Sequence, residues 1–269
     1  MAFDVNSFVI DRALRGTLFD KSTGEVIFSI NQIKDPSLEC SGETVYTTDA
    51  VGARIAAFDR SKDATLSGSN ALIDFGMLAA QLGSDKVSAS STDTISVPVC
   101  EVLTAADGEL ALAHVPTGTS GSEIKYIYAV NTDKSIGTKY ESAATADATH
   151  FKVTAADKTI DLPTGVADGT QFYVWYEYAA DGTSGNGAVE IVDSATAFAK
   201  GGRFDLEVIL CDICDTNTKY YAHIIFDNAK MDNSVTINFN NEAEHGFTIN
   251  CAQDYCSIDK KLFRIVIPE

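Results

Sequence analysis

The chain is divided into two β-patterned flanks and a middle segment of different character. Alternating apolar and polar residues, rich in β-branched side chains, run through residues 1–103 and return in residues 188–269. Residues 104–187 between them hold nine of the 19 glycines and no arginine. The division predicts a discontinuous domain of residues 1–103 and 188–269, interrupted by an inserted domain of residues 104–187.

The flanks are predicted to form a mainly β, antiparallel domain. Strands are expected at residues 14–19, 25–33, 53–58, 63–67, 95–103, 204–210, 219–226, 234–239, 246–250 and 262–267. Turns are expected at residues 21–24, 49–52 and 59–62, and the last strand is expected to complete the sheet begun near the N-terminus. Asp35-Pro36 is expected to break its strand and to leave a long polar loop over residues 37–48.

One helix is predicted, over residues 70–82. Asn70 is a suitable N-cap, Asp74 would lie near the positive end of the helix dipole, and Gly83 would end the helix. Apolar residues recur at helical spacing at Leu72, Phe75, Leu78, Ala79 and Leu82. The helix is therefore expected to pack one face against the sheet.

The inserted segment is predicted to be a small β-sandwich of immunoglobulin-like type. Short strands at residues 124–130, 150–153, 159–162 and 171–178 alternate with turn signals. A short Gly/Ser linker in place of residues 104–187 is expected to leave the flank domain folded. The aromatic run around Trp175 fits either a sandwich core, which we favour, or a carbohydrate platform.

Charge and hydropathy exclude several classes of function. The formal net charge of −18 excludes a general nucleic-acid-binding surface, although it suits a conduit past which DNA moves without binding. Apolar runs fall short of the ~20 residues that a membrane helix needs. The start of the sequence, with neither a basic leader nor an apolar signal core, predicts synthesis in the cytoplasm without a cleaved signal.

The cysteines are interpreted as reduced thiols that pack as small apolar groups. Cys211 and Cys214 form a C-x-x-C, and Cys251 and Cys256 form a second pair. Residues three apart in a strand face opposite sides, which opposes joint chelation by the first pair. Zinc binding and an assembly-dependent disulfide remain open alternatives.

The remaining polar residues lack the spacing of an active site. His114, His150, His223 and His245 are scattered, and His245, beside Glu244, is interpreted as a surface-turn residue. Residues 181–187 carry oxygen-bearing side chains at alternate positions but lack the bidentate Glu of a calcium loop, so a flexible return is favoured. We therefore predict no catalytic, cofactor-binding or metal-binding residues, no cofactor and no enzymatic activity.

Strings in both flanks resemble the tail tube proteins of long-tailed bacteriophages. In the first flank they are Thr17-Leu18-Phe19-Asp20 through Gly24-Glu25-Val26, Asp35-Pro36-Ser37-Leu38-Glu39, Asp49-Ala50-Val51-Gly52, Asp59-Arg60-Ser61-Lys62 and the predicted helix from Ala71 to Leu82. In the second they are Ala229-Lys230-Met231-Asp232, His245-Gly246-Phe247-Thr248, Asp254-Tyr255-Cys256 and Lys261-Leu262-Phe263 to the final Ile267-Pro268-Glu269. The resemblance implies a β-sandwich or barrel with one flanking helix and a long loop that reaches a neighbour. It further implies hexameric rings stacked into a tube through which DNA passes without specific binding.

The favoured function is that of a virion structural protein, the major tail tube subunit. Its partners would be copies of itself and other tail proteins, and its place would be the virion tail, assembled in the cytoplasm of the bacterial host. One alternative is a capsid decoration or receptor-binding protein whose inserted β-sandwich carries the function. Another is a hydrolase or zinc protein that uses Cys211, Cys214 and His245.

Overall fold

The computed structural model describes residues 8–213, 217–237, 244–255 and 258–268. The chain divides into two compact units, one of residues 1–86 with 191–269 and one of residues 87–190. The sequence placed these boundaries at residues 103/104 and 187/188. The first boundary differs because strand Ile95–Thr104 pairs along its whole length with strand Gln171–Ala180 of the second unit. Independent folding of the two units stays a prediction.

The described elements are mostly strands. In chain order they are β1 (Phe8–Phe19), β2 (Val26–Ile30), β3 (Ile33–Thr48), β4 (Arg54–Asn70), helix α1 (Phe75–Leu82), β5 (Val87–Ser88), β6 (Ile95–Thr104), β7 (Glu109–Ala111), β8 (Tyr126–Val130), β9 (Ile136–Ser142), β10 (His150–Thr154), a short 3-10 helix (Ala155–Asp157), β11 (Thr159–Asp161), β12 (Gln171–Ala180), β13 (Val189–Glu190), β14 (Gly201–Asp212), β15 (Lys219–Met231), β16 (His245–Cys251) and β17 (Arg264–Val266).

The first unit contains one eight-stranded antiparallel sheet that is nearly closed on itself. The strand order is β2-β1-β14-β15-β16-β4-β3, with β17 added beside β15. The two end strands, β2 and β3, are joined by just two residues, Asn31 and Gln32, and the side chain of Ile33 approaches Gly16 of β1. Strands from both ends of the order fill one core with the fully buried Leu18, Ile30, Leu66, Phe204, Phe226 and Ile249. The predicted mainly β, barrel-type fold is therefore confirmed.

Helix α1 covers part of this core with Met77 and Ala80. It begins after Asp74, whose Oδ1 accepts a hydrogen bond from Met77 N at 2.7 Å. It ends at Gly83, which adopts the left-handed conformation with φ 71°. The predicted helix and its terminating glycine are confirmed, whereas the predicted N-cap at Asn70 is wrong.

At the end of β4, the Asn70 side chain forms hydrogen bonds with the backbone and does not cap the helix. Its Oδ1 accepts from Gln32 N at 3.2 Å, and its Nδ2 donates to Leu72 O at 2.6 Å. The side chain thus satisfies backbone groups where the chain leaves the sheet, five residues before the helix begins. Leu72 and Phe75, predicted to lie on the packed face, are exposed because the helix starts later and presents Met77, Ala79, Ala80 and Gln81 to the core.

The β3–β4 hairpin corrects three predictions. Residues 37–48 form no loop, Asp35-Pro36 does not break the strand, and residues 59–62 form no turn. Antiparallel pairing runs from Ile33 opposite Asn70 to Thr48 opposite Arg54. The register of the two strands shifts at several points, where residues are left without a partner in the opposite strand. One shift lies at Asp35-Pro36, where Asp35 has φ 48°. The predicted turn at residues 49–52 is confirmed.

The C-terminal flank follows the predicted strands with two exceptions. Residues 234–237 contain an isolated bridge from Ile237 to His245 but no strand, and residues 238–239 lie outside the described part of the chain. Strand β17 joins the predicted sheet, but it pairs with β15 and not with the N-terminal strands. It completes the sheet begun near the N-terminus, as predicted, although it does so beside β15.

The second unit has its own sheet and core. Seven strands form one path in the order β6-β12-β8-β9-β10-β11-β7, in which β9 and β10 are parallel and the other pairs antiparallel. Leu110 of β7, at one end of the path, and Phe172 of β12, near the other, belong to one buried cluster, so the sheet curls around its core. Strands β5 and β13 pair where the chain enters and leaves this unit. These pairings do not establish the immunoglobulin-like topology, which stays a prediction.

Candidate functional site

The outer half of the β3–β4 hairpin is exposed along almost its whole length. Strand β4 pairs with β16 only as far as Ala64, which lies opposite Cys251. Beyond that point, in the described part of the chain, β3 and β4 pair only with each other, from Ser41 opposite Asp63 to Thr48 opposite Arg54. At ~3.3 Å per residue, this two-stranded ribbon, residues 41–63, extends for roughly 26 Å.

The tip of the ribbon is held by Asp49. Its Oδ1 accepts hydrogen bonds from Val51 N at 3.0 Å and Ala53 N at 2.8 Å, and its backbone N–H donates to Ala53 O. Gly52 supplies the left-handed backbone of the turn with φ 86°. The ribbon therefore ends in a defined turn.

One face of the ribbon carries apolar side chains that the chain leaves in water. Val45 and Phe58 are register partners and so share a face, with 37% and 51% of their surfaces exposed. The other large apolar side chains of the ribbon are exposed too: Tyr46, Val51 and Ile55. A two-stranded ribbon is marginally stable alone in water, and exposed apolar patches mark interaction surfaces. The ribbon is therefore suited to contact with another protein surface.

The neighbouring pairs fix the ribbon by polar contacts. Thr44 Oγ1 donates to Asp59 Oδ1 across the strands at 2.9 Å. Two positions further along, the guanidinium of Arg54 lies 3.9 Å from the centre of the Tyr46 ring. These contacts pair side chains across the two strands without covering Val45 and Phe58.

A second exposed apolar surface lies where β1 begins and β14 ends. Val9 and Ile10 are exposed there and pair with Cys211 and Leu210. With Ile213 they line a shallow depression of about 420 Å³. This surface is smaller than the ribbon and belongs to the rim of the nearly closed sheet.

The four histidines lie in separate places. His114 stacks on Tyr178, with ring centroids 3.8 Å apart. His150 and His223 contact the carboxylates of Asp147 and Asp205. Thr149 Oγ1 lies 3.0 Å from His150 Nδ1, but Asp147 contacts the same nitrogen, so the arrangement of a catalytic triad, with a carboxylate on one ring nitrogen and a hydroxyl on the other, is not formed here.

His245 corrects the prediction of a surface turn, because it is fully buried at the start of β16. The Gln81 amide nitrogen donates to Gly246 O, so its oxygen accepts from His245 Nε2, at 2.6 Å. His245 Nδ1 is buried without a hydrogen-bond partner. Burial lowers the pKa of His245, and the carboxylate of Asp74 offsets this only in part.

The cysteine pairs are only partly described. Cys214 and Cys256 lie outside the described residues. Cys211 is the last residue but one of β14, whereas Cys251 is buried in β16, where burial raises the pKa of its thiol to about 12. Among the described residues, no group of three or more His, Cys, Asp or Glu side chains is placed to hold a metal ion.

The residues 181–187 and Trp175 were the other candidates. Asp181 Oδ1 accepts from Thr183 N, Thr183 Oγ1 and Asn186 Nδ2, which lowers the pKa of Asp181 and ties its carboxylate into the loop. Trp175 is not in the core of the second unit: 44% of its surface is exposed.

No helix in the described part of the chain is long and apolar enough to cross a membrane.

Comparison with known proteins gives one family. The YomU/Tube protein family matches residues 8–257. No curated protein matches the sequence. The family match covers nearly all of both units and agrees with the resemblance to tail tube proteins carried by the flank sequences. The chain belongs to the YomU/Tube protein family.

Proposed function

We propose that this chain is the major tail tube subunit of a bacteriophage, and that it self-associates into stacked rings that conduct DNA. The observation that carries the proposal is the ribbon of residues 41–63, which exposes paired apolar side chains and has no sheet neighbour within the described chain. The family to which the chain belongs is named for a tube protein, which supports the same role.

The ribbon is proposed to bind a neighbouring subunit. Burying Val45, Phe58 and the other exposed side chains of the ribbon would gain about 25 cal/mol for each Å² removed from water. An exposed ribbon invites pairing with another chain, and closure into a ring of six would give each ribbon one receiving surface. The assembly would thus complete in each subunit a contact that the single chain leaves open.

The charge of the chain supports the proposed conduit. Its formal net charge is −18. Acidic surfaces repel the phosphate backbone at close range, so DNA would pass without being held. The proposed partners are therefore identical subunits and other tail proteins, in a virion tail assembled inside the bacterial host. The proposed role requires no enzymatic activity.

Removing the ribbon tests this function. Residues 42–62 are replaced by Asn-Gly, so that the register partners Ser41 and Asp63 flank a two-residue hairpin turn. The inner hairpin and the core residues remain, so we expect a normal cooperative thermal melt but no rings or tubes in negative-stain electron microscopy. The control is Val115→Ser, which removes an exposed apolar side chain from the second unit.

The outcomes separate the alternatives. Rings or tubes from wild type and the control, but not from the shortened chain, would support the proposal. Normal tubes from the shortened chain would refute the role of the ribbon. Wild-type protein that stays dispersed at all concentrations would favour a capsid decoration or receptor-binding protein.

A further inference from the structure

The outer face of the sheet in the second unit carries an aromatic surface that the proposed tube function does not use. Strand β12 alternates strictly: Phe172, Val174 and Tyr176 are buried in the core, while Trp175 projects to the opposite side with 44% of its surface exposed. The sequence favoured a core role for the whole run. The structure divides the run into a core face and an outer face.

Three rings on two neighbouring strands form this surface. The rings of Tyr173 and Trp175 are inclined by only 28°, with centroids 5.6 Å apart, and the ring of Tyr128 meets Trp175 edge to face at 5.8 Å. Tyr173 Oη donates to Lys134 O at 2.8 Å, which anchors the ring at its far end. The rings are therefore held in place before any ligand arrives, which reduces the ordering cost of binding.

Polar groups surround the rings. Lys139, the register partner of Tyr128, pairs with Glu141 at 2.9 Å. On the other side, Glu177 accepts a hydrogen bond from Ser96 at 2.6 Å. These charged and hydroxyl groups are exposed and can exchange hydrogen bonds with a ligand.

A shallow depression continues the surface beside Trp175. It has a volume of about 390 Å³ and is lined by Pro98, Val99, Cys100, Trp175, Tyr176 and Glu177. This volume lies in the range of small-ligand sites, roughly 300 to 1,000 Å³. The depression thus offers room for a small ligand whose apolar side lies against Trp175.

The size of the surface favours a small ligand over a protein. A fully buried aromatic side chain removes about 150 to 250 Å² from water, so three partly exposed rings offer roughly 200 to 300 Å². A stable protein interface needs about 800 Å² from each partner. Val102 of β6, the register partner of Tyr173, adds its exposed side chain to this face. The apolar surface stays below the area of such an interface even so, and its polar surroundings suit a ligand rich in hydroxyl groups.

We propose that this face binds a carbohydrate, specifically a β-1,4-linked oligosaccharide of glucose or N-acetylglucosamine. In these sugars all ring substituents are equatorial, so each ring presents a flat face of C–H groups to an aromatic side chain and a rim of hydroxyls to polar neighbours. Trp175 and Tyr173 would stack against ring faces. Glu177 and Lys139 would contact the hydroxyls. This site is independent of the ribbon.

Sugar binding at this face can be measured by tryptophan fluorescence. Trp175 is the sole tryptophan of the chain, so intrinsic tryptophan emission reports this face alone. Chitohexaose and cellohexaose are titrated into the full-length protein up to about 10 mM, about ten times a dissociation constant of ~1 mM, which is typical of weak binding. We expect a saturable shift of the emission with at least one of them. Maltohexaose, whose α-linkages prevent a flat chain, is expected to bind more weakly.

Variants assign the binding to the rings. Saturation-transfer NMR of the sugar protons measures binding when tryptophan is removed. Trp175→Ala is expected to weaken binding by about tenfold or more, as loss of a stacking ring does for other flat ligands, and Trp175→Phe is expected to restore most of it. The control Val115→Ala, at another exposed site of the unit, should bind as wild type does. Thermal melts check that each variant is folded.

Two results would overturn the proposal. One is the absence of any emission shift or saturation transfer with both β-linked sugars. The other is a shift of tryptophan emission with protein concentration alone, together with loss of assembly in Trp175→Ala, which would make the face a contact between copies. Because ring and tube formation is scored separately by microscopy, failure of sugar binding leaves the proposed tube function untouched.

Discussion

The inner and outer halves of the β3–β4 hairpin use the same two strands in opposite environments. In the inner half, Leu66 is 1% exposed and β4 lies between β3 and β16. In the outer half, Phe58 is 51% exposed and the two strands have only each other within the described chain. Backbone pairing extends through both halves, with local irregularities in register, so strand formation and burial are separate properties here. The inner half is expected to serve the stability of the subunit, and the outer half its assembly.

The largest expected effect is on the inner half. Leu66→Ala removes a fully buried side chain from the core of the nearly closed sheet. We expect the free energy of unfolding to fall by about 2 to 5 kcal/mol, as for other large-to-small core substitutions. Urea denaturation followed by circular dichroism measures the change. The matched variant Phe58→Ala, in the outer half, should change it by no more than about 0.5 kcal/mol. Equal losses of unfolding free energy in Leu66→Ala and Phe58→Ala would show that the two halves of the hairpin contribute equally to stability.

The second prediction uses pH to probe the inner half. His245 lies opposite Asn70 at the base of the hairpin, and its burial lowers its pKa below the ordinary 6.5. Between the lowered folded pKa and 6.5, the unfolded chain binds a proton that the folded chain does not, so unfolding becomes easier as the pH falls. Denaturation midpoints measured from about pH 7 to about pH 5 should therefore decrease.

Variants attribute this decrease to His245. The dependence on pH should shrink in His245→Gln, which cannot take up a proton, and persist in His150→Gln, at a partly exposed histidine of the second unit. A pH dependence that is unchanged in His245→Gln would contradict the assignment. Shortening the ribbon should leave the dependence intact, because His245, on β16, pairs with the inner half of the hairpin at Asn70.

The contrast also explains what the sequence could predict. The strand of residues 204–210 alternates against a buried core, and the turn of residues 21–24 has a glycine at φ 75°, so both were predicted correctly. Residues 37–48 are mostly exposed, so they lack the alternation that marks a half-buried strand. Their strand structure comes from pairing with residues 54–67, which only the register reveals.

Side-chain roles were predicted less well than strands. Asn70 fits an N-cap by residue type, but its hydrogen bonds to Gln32 and Leu72 depend on the fold. His245 has carboxylates beside it in sequence, yet its partner Gln81 comes from the helix. Trp175 follows the period of two along β12, and that period, applied residue by residue, could have placed it on the outer face.

A double substitution on the ribbon, with a small expected effect on stability, tests whether the outer half serves assembly. Val45→Ser with Phe58→Ser removes the paired apolar side chains of one ribbon face while leaving the backbone pairing and the turn at Asp49 in place. We expect the unfolding free energy to change by less than about 1 kcal/mol, since both side chains are exposed in the single chain.

Assembly should respond strongly to the same variant, because these side chains would be buried only between subunits. The control is Thr44→Ser with Asp59→Asn, the adjacent register pair, which keeps the cross-strand hydrogen bond and removes little apolar surface. Negative-stain microscopy and sedimentation should show rings or tubes for the control and dispersed subunits for the serine variant. Tubes of normal length from the serine variant would show that this face is not the contact. A loss of stability equal to that of Leu66→Ala would show instead that the outer half belongs to the folded core.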